Sequence, residues 1–412
     1  MKKILFIICC LPLFLFSIND EKSTTIIVSS MGETIEEAKN NALRSAIEQA
    51  FGAFISSKTE ILNDNIKDEI VSISNGNIHN YNIISQIKIP DGGYAITLEA
   101  TVSLNQLSSF VKSKGINVEF QGQIFGANIR QIELNQLAEE KTIDNLCKIS
   151  KEILAKSLDF SLDVSDPREN EFGNYDLDFY IFSYPNKNYE MFKSFFYKTM
   201  KSISMSKVEF KNYQKINKSF YQINIQKLKN RHNKLFVFNK PSEKKKKDIE
   251  DPFTNGDYFS WSRSLNAIKD AYNIKNKPHK DFGQYWQKTD AIYLRSNISF
   301  QKLKSFLNAT NELLLSFDLL SYSSENSSSK IFFNDVSSRT RYNCVPSYNI
   351  FNNSGGYTTS IVNFPIWNHQ DLYLVNKSPM FMMHNLVYVH VARKSFSVSE
   401  LEKIKEFKVK KK

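Results

Sequence analysis

A multidomain α+β chain is what this sequence predicts, and three observations carry the prediction. Residues 23–115 switch between strand-type and helix-type patterning in a compact β-α-α-β-β order. Residues 116–240 alternate in the same way, and residues 253–412 are richer in short strand-like runs. A chain of 412 residues with 41% hydrophobic content also holds apolar material for two or three cores. The expected organisation is a signal peptide at 1–19, a helix-on-sheet module at 23–115, an α+β middle region at 116–240, a charged linker at 241–252 and a mixed C-terminal region with a basic tail at 253–412.

The signal peptide is read from Lys2 and Lys3, which precede an apolar run from Ile4 to Phe16 ending at Ser17. A spanning helix needs about 20 apolar residues, whereas this run is broken by Pro12 and followed at once by Asn19, Asp20, Glu21 and Lys22. Cleavage near Ser17 places the mature chain in the periplasm or on the cell envelope. Cys9 and Cys10 raise the alternative of a lipoprotein, against which they sit inside the apolar run with little of it before them.

The module at 23–115 is legible residue by residue. Thr24 to Val28 is a β-branched run suited to a buried strand, closed by Ser29, Ser30 and Gly32. Thr34 and Glu37 form a capping box for a helix on which Ala38, Ala42, Ala46 and Ala50 recur every four residues beside Ile35, Leu43, Ile47, Phe51 and Phe54. Small side chains on that face let the helix lie close on a sheet. A second, shorter helix is expected over Ile66 to Ser74, stopped by Asn75 and Gly76. Ile78 to Ile89 and Tyr94 to Leu104 read as strands joined at Pro90, Asp91, Gly92 and Gly93. In the latter strand Tyr94, Ile96, Leu98, Ala100 and Val102 alternate with Ala95, Thr97, Glu99 and Thr101, predicting one covered and one more polar face. A terminal helix over Asn105 to Lys114 completes the module.

The string from Gly32 to Ala38, then Ala42 to Gly52, resembles the glycine-then-alanine-rich first helix of the N-terminal domain of flagellar assembly protein T and its relatives among bacterial envelope proteins. Ser74 to Ile78 with Tyr81, and the alternating strand Tyr94 to Val102, resemble that family's turn and hairpin. The resemblance covers about residues 23–115. It implies an envelope location and a role in assembly and protein interaction, as in a family whose flagellar member contributes to an envelope ring around the motor. It carries over no catalytic residue.

Downstream, Ile116 to Ile124 reads as a strand and Ile129 to Leu158 as a helix with Leu134, Leu137, Ile143, Leu146, Cys147, Ile153, Leu154 and Leu158 on its apolar side. Ser165, Asp166 and Pro167 end it. Tyr175 to Tyr184 predicts an aromatic-rich strand and Tyr189 to Ile203 a helix, followed by three short strands around Lys207 to Phe210, Phe220 to Ile225 and Leu235 to Phe238. The linker holds the run Lys244 to Lys247. Trp261 to Tyr272 and Phe300 to Leu320 are helical candidates and Ser321 to Lys330 a polar loop. Strands are expected at Ile331 to Phe333, Thr358 to Phe364, Leu372 to Val375 and Leu386 to Val391, then a short helix from Val398 to Phe407.

Charge and cysteine content narrow the function classes. The net charge is +11, but residues 20–115 carry −4 and residues 116–412 carry +13. A basic surface of that kind favours anionic lipid headgroups, glycans or cell-wall polymer and allows peripheral membrane association. The joint abundance of Lys, Asn, Ile, Phe and Tyr is also what an AT-rich genome produces without selection for binding. An exported chain without a recognition motif excludes nucleic acid. Of the four cysteines only Cys147 and Cys344 lie outside the leader, and they are expected to be separate thiols, Cys147 on a buried helix stripe.

No catalytic, cofactor-binding or metal-binding residue is assigned, and no cofactor is expected. The six histidines lack ligand spacing, and His384 with His390 on one strand face reads as ordinary surface rather than a metal site. Cys344 with a distant His lacks an orienting acid and an oxyanion hole. Ser354-Gly355-Gly356 is a turn, since no Lys-Ser/Thr follows. Asp176 and Asp178 share a strand face, which invites comparison with paired glycosidase carboxylates; they are expected to be edge-strand charges that discourage pairing. Tyr184, Tyr189, Trp261, Tyr285, Trp286, Trp367 and Tyr373 are the aromatics able to form sugar or peptide platforms. The expectation is a non-catalytic exported protein that binds other envelope proteins, with glycan or cell-wall binding as the alternative and an envelope hydrolase third.

Overall fold

The computed structural model describes residues 23–54, 78–113, 124–216, 221–228, 238–242, 245, 267–268, 270–273, 286–315, 317–323, 328–334, 344–345, 350–351, 357–358, 380–383 and 387–411. It is an α+β chain whose described strands fall into several small, mostly antiparallel sheets. The leader, the expected helix over Ile66 to Ser74 and the expected strand before Ile124 lie outside the described residues, as do 229–237, 359–379 and 384–386.

The first sheet is β1 (Ser23–Gly32), β3 (Tyr94–Ser103) and β2 (Ile78–Lys88), with β3 central and both pairings antiparallel. Helix α1 (Ile35–Phe54) follows β1 with the predicted cap. The Thr34 hydroxyl accepts from the Glu37 amide at 3.1 Å, and the Glu37 carboxylate reaches back to the Glu33 amide at 2.9 Å. Ala38, Ala42, Ala46 and Ala50 are fully buried against Ile26, Val28, Ile96, Leu98 and Ala100, so the ridge lies on the sheet as its spacing demands.

The opposite face of this sheet departs from the expectation of a more polar surface. Ala95 and Thr97 are fully buried, with the Thr97 hydroxyl 3.2 Å from those of Ser29 and Thr199. The cause is the long helix α3 (Ile124–Ala155) and helix α4 (Lys187–Ile203), which cover it; α2 (Leu104–Ser113) lies between β3 and α3 in the chain. Hydroxyls tolerate burial when they bond one another, so a Thr-rich face does not announce solvent. Helix α3 also closes the β1 edge: Thr142 and Asn145 donate to the outward carbonyls of Ile27 and Ser29 at 3.2 and 2.5 Å, while Asn41 of α1 takes that of Met31 at 3.0 Å. Side-chain caps on alternate carbonyls remove a pairing template that an open edge would offer.

Ile143, Leu146, Ile149, Ile153 and Leu154 of α3 pack with Tyr189, Phe192, Phe195, Phe196 and Met200 of α4 in a central core that also takes Ile89 and Ala95 from the first sheet. Helix α3 ends at Ala155, and Leu158, expected as its last apolar contact, begins strand β4 (Leu158–Val164) after a turn at Lys156 and Ser157. Beyond α4, residues Lys207 to Ile216 form helix α5 in place of the expected strand. Ser206 and Glu209 make a capping box that starts it, with Ser206 Oγ accepting from the Glu209 amide at 3.1 Å and the carboxylate from the Ser206 amide at 2.8 Å. Strands β7 (Tyr221–Leu228) and β8 (Trp286–Leu294) pair antiparallel, and helix α6 (Asn297–Leu315) adds Leu303 and Phe306 to the same core.

Two further sheets stack on each other. One contains β4, β5 (Arg168–Glu169), β6 (Tyr175–Pro185), β11 (Cys344–Val345) and β15 (Tyr388–Phe396), in the order β11-β15-β6-β4 with β5 also on β6. The other contains β9 (Phe317–Ser323), β10 (Ser328–Asn334) and β16 (Ile404–Lys411) in the order β10-β9-β16. Leu177, Phe179, Ile181, Phe317, Leu319 and Phe396 fill the space between them. The other face of β6 is covered by Tyr272 and Phe238 on Phe182, which explains a strand apolar on both sides.

The C-terminal region corrects three expectations. Phe317 to Leu320 is strand, not the end of a helix; Ser321 to Ser323 and Ser328 to Lys330 belong to the β9–β10 hairpin; and the helix from Val398 to Phe407 shrinks to one turn, α7 (Val398–Leu401), before β16. A bulge between Ile404 and Glu406 brings Ile404 into phase with Phe407 and Val409, so all three meet the sandwich core while Lys405, Lys408 and Lys410 stay exposed. The remaining short strands are β12 (Ile350–Phe351) with β13 (Tyr357–Thr358), and β14 (Met380–Met383) parallel to β7.

Candidate functional site

A cleft of about 170 Å³ lies where β1 and β3 meet α3, the end of α4 and the turn before α6. Thr25, Glu99, Asn135, Glu139, Ser202 and Arg295 supply its polar wall. Glu139 is the buried carboxylate of that wall. On α3 this residue occupies the stripe that continues through Ile143, Leu146 and Ile153, and it is 2% exposed. Its carboxylate accepts from the Arg295 amide at 2.9 and 3.1 Å and from the Ser296 amide at 3.1 Å, the two residues directly preceding α6. A carboxylate is favoured at the unpaired amides and positive end of a helix. Burial nevertheless pushes the Glu139 carboxyl above its usual range, against the pull of the Arg295 amide and guanidinium.

Arg295 ties three elements together. Its Nη1 donates to the Ile203 carbonyl at 2.9 Å, at the end of α4, and lies 3.5 Å from Glu139; Nη2 lies 3.4 Å from Glu209 of α5. Ser296 bonds Glu140, and its hydroxyl also accepts from the Ile298 amide at 3.1 Å. The arrangement offers hydroxyl, amide and carboxylate groups to a small polar molecule. The sequence carries one signal for it, a glutamate on the apolar stripe of a predicted helix; Arg295 has no local signature.

A second charged cluster forms around the aspartates singled out by sequence. They are not edge charges, because β6 pairs with β15 on one side and with β4 and β5 on the other. Asp178, 1% exposed, accepts from Arg393 Nε at 2.6 Å and Nη2 at 3.0 Å, and from Arg168 at 2.5 Å. Asp176 bonds Ser395 and Asn170, and these contacts, the Ser395 hydroxyl first, hold its carboxyl below the usual range. Same-face placement is legible in the sequence; the arginine pair, one of them 215 residues away, is not.

Cys147 is a free thiol packed against the central core, and burial together with the Asp144 charge pushes its pKa up to about 12. Cys344 pairs through its backbone with Ala392, and His390 lies opposite Ile181. Tyr189, one of the aromatics able to form a platform, is 1% exposed inside the core. Tyr184 hydrogen-bonds Ser161 at 2.9 Å, and Trp286 starts β8 opposite Leu228. His384, Ser354 to Gly356, Trp261, Tyr285, Trp367 and Tyr373 lie outside the described residues.

Among the described residues no group of three or more His, Cys, Asp or Glu side chains is placed to hold a metal ion. None of the described helices is long and apolar enough to cross a membrane. Compared with family models, curated proteins and solved structures, the chain matches none.

Proposed function

We propose that this chain is an exported protein of a bacterial envelope that acts by holding protein partners and not by turning over a substrate. The observation that carries the reading is that its most reactive-looking groups serve as internal ties. Asp178 clasps two arginines from the neighbouring strands of its own sheet, Glu139 closes the start of α6, and the Cys147 thiol is held protonated by burial. A carboxylate whose lone pairs are taken by fixed amides and guanidinium groups is a poor general base. The leader-like segment from Lys2 to Ser17 and the resemblance of residues 23–115 to the flagellar assembly protein T family support envelope location and assembly.

Because Ile27, Met31, Ile87, Ile89 and Ala95 pack into the central core, removing residues 23–115 would strip that core, and the test uses the whole chain. Cells expressing it with a photo-crosslinking residue at exposed Tyr81 should yield a shortened chain in the envelope fraction, crosslinked to defined envelope proteins. Full-length chain confined to the cytosol, or substrate turnover lost on Glu139→Gln, would sink the proposal. A second reading, glycan or cell-wall binding, is favoured by the hydroxyl, amide and carboxylate lining of the Glu99–Glu139 cleft. Calorimetric titration with peptidoglycan fragments, with Glu99→Ala as the comparison, separates the two.

A further inference from the structure

Two side chains stand out from the apolar surface of the described residues. Phe172 is 84% exposed and Val208 is 70% exposed, ahead of the other exposed large hydrophobics among them. Isolated exposed apolar residues are ordinary, so what matters is how each is presented.

Phe172 sits at the tip of the β5–β6 hairpin, and its backbone is locked. The Asn170 amide donates to the Asn174 carbonyl at 2.8 Å and the Gly173 amide to the Asn170 carbonyl at 3.0 Å, while the Asn170 side chain accepts from the Phe172 and Asn174 amides at 3.0 and 3.1 Å. Gly173 supplies the left-handed turn with φ of 70°. A ring held out on a fixed backbone loses little freedom on docking. Asp166, Glu169 and Glu171 are exposed beside it against one exposed cation, Arg168, so the tip carries net negative charge.

Val208 lies on the outward face of α5 with the reverse charge. Lys211 and Lys215 follow it at three and seven residues, on the same helix face, and Lys207 adjoins; all are exposed. The inner face is anchored by Phe210 against Tyr293, with ring centroids 4.1 Å apart, and by the Tyr213 hydroxyl on the Arg295 carbonyl at 2.8 Å. The one acidic residue of the helix, Glu209, is turned toward Arg295.

We infer that the acidic Phe172 tip of one copy docks on the basic Val208 face of a second copy. The contact joins two different patches, so it is head-to-tail, and each added copy still presents one tip and one face. Copies carrying a net positive charge repel on average, and a local acidic tip selects the one orientation in which opposite charges meet. This inference rests on the assembly reading and supplies a partner for it.

Sedimentation of the chain as purified from cells, over about a hundredfold range of concentration, should show mass rising with concentration and falling with added salt. Phe172→Ser and Val208→Asp should each be monomeric with melting curves like the parent, since both positions are exposed. Mixed together they should form one-to-one dimers and nothing larger, because the mixture holds only one kind of intact tip and one kind of intact face. A parent chain that stays monomeric throughout, a mixture that stays monomeric, or self-association retained by either variant overturns the contact. Envelope crosslinks that persist in such a monomeric chain would leave the assembly reading standing without it, whereas a cytosolic chain sinks that reading whatever sedimentation shows.

Discussion

Gly32 ends β1 where the chain passes beneath the first turn of α1, and its replacement tests how closely helix and sheet meet. A Cβ built there lies 2.4 Å from the Ala38 amide nitrogen, 2.8 Å from the Glu37 carbonyl carbon and 3.0 Å from Ala38 Cα. All three are helix backbone, so no side chain can swing aside and the helix itself must lift. Lifting it pulls Ala38, Ala42, Ala46 and Ala50 from a seat in which none is exposed. Gly93, with φ of 80°, lies against the same spot, since a Cβ added there would come within 2.8 Å of the Gly32 carbonyl oxygen. Overpacking of this kind costs about 1–3 kcal/mol, and Gly32→Ala is expected in that range.

Gly52 provides the opposite sign in the same element. It lies inside α1, and a methyl group added to it would meet nothing within 4 Å, so Gly52→Ala should add about 0.5–1 kcal/mol by restricting the unfolded chain. Equilibrium urea unfolding followed by circular dichroism reads both, with the denaturant dependence checked for constancy. Equal effects of the two alanines, or stabilisation by Gly32→Ala, would refute the close approach of α1 to β1.

Ala46→Leu, probing the same contact from the helix, should cost about 1–3 kcal/mol in the same unfolding assay, while Lys39→Ala should cost less, about 0.5–1 kcal/mol, because it loses a pair with exposed Glu36 and the contacts of a partly covered stem. Asp178→Asn should destabilise by about 3–5 kcal/mol, read by denaturation, since it leaves Arg168 and Arg393 facing a neutral amide. In a chain with its other cysteines changed to serine, Cys147 should react with a thiol reagent at pH 8 far more slowly than the unfolded chain, and labelling as fast as a free thiol would contradict its placement. Burial lowers Lys411 to about 8 from an unfolded value near 10.5, so the unfolded chain holds the proton longer and stability should rise by about 1–3 kcal/mol between pH 8 and 10.5. Lys411→Met should flatten that rise in pH-dependent unfolding.

Local patterning makes most of the first sheet legible. Thr34, Glu37 and the four alanines define α1 by capping and period, and the alternation of Tyr94 to Val102 defines β3. The same grammar stands at Ser206-Lys207-Val208-Glu209, a capping box that outweighs the strand-like look of Val208 and Phe210. What covers an element is harder to see than what the element is. Thr97 reads as solvent-facing until α4 brings Thr199 to it, and Asp178 reads as an edge charge until β15 brings Arg393. The candidate cleft is of this second kind, since Glu139 and Arg295 acquire their roles only when the end of one strand meets the middle of a helix 156 residues earlier.

That dependence on distant partners also bears on how the chain holds itself together. Strand β6 receives β15 from about 200 residues downstream, and β9 receives β16 (Ile404–Lys411). Phe179 touches both arrivals, lying 6.4 Å from the Phe396 ring and 5.0 Å from the Phe407 ring. The apolar faces of β6 and β9 therefore have no complete cover until the C-terminal strands are in place, and closing so long a loop costs entropy before those contacts return it. Lys411 then fixes the final strand to the last turn of α3, donating to the Leu154 carbonyl at 3.1 Å, where the negative end of the helix favours a cation. A basic tail that looks like a solvated end in the sequence is thus a closing strand, with Lys405, Lys408 and Lys410 kept outward by alternation and a single bulge and Lys411 used as a clasp.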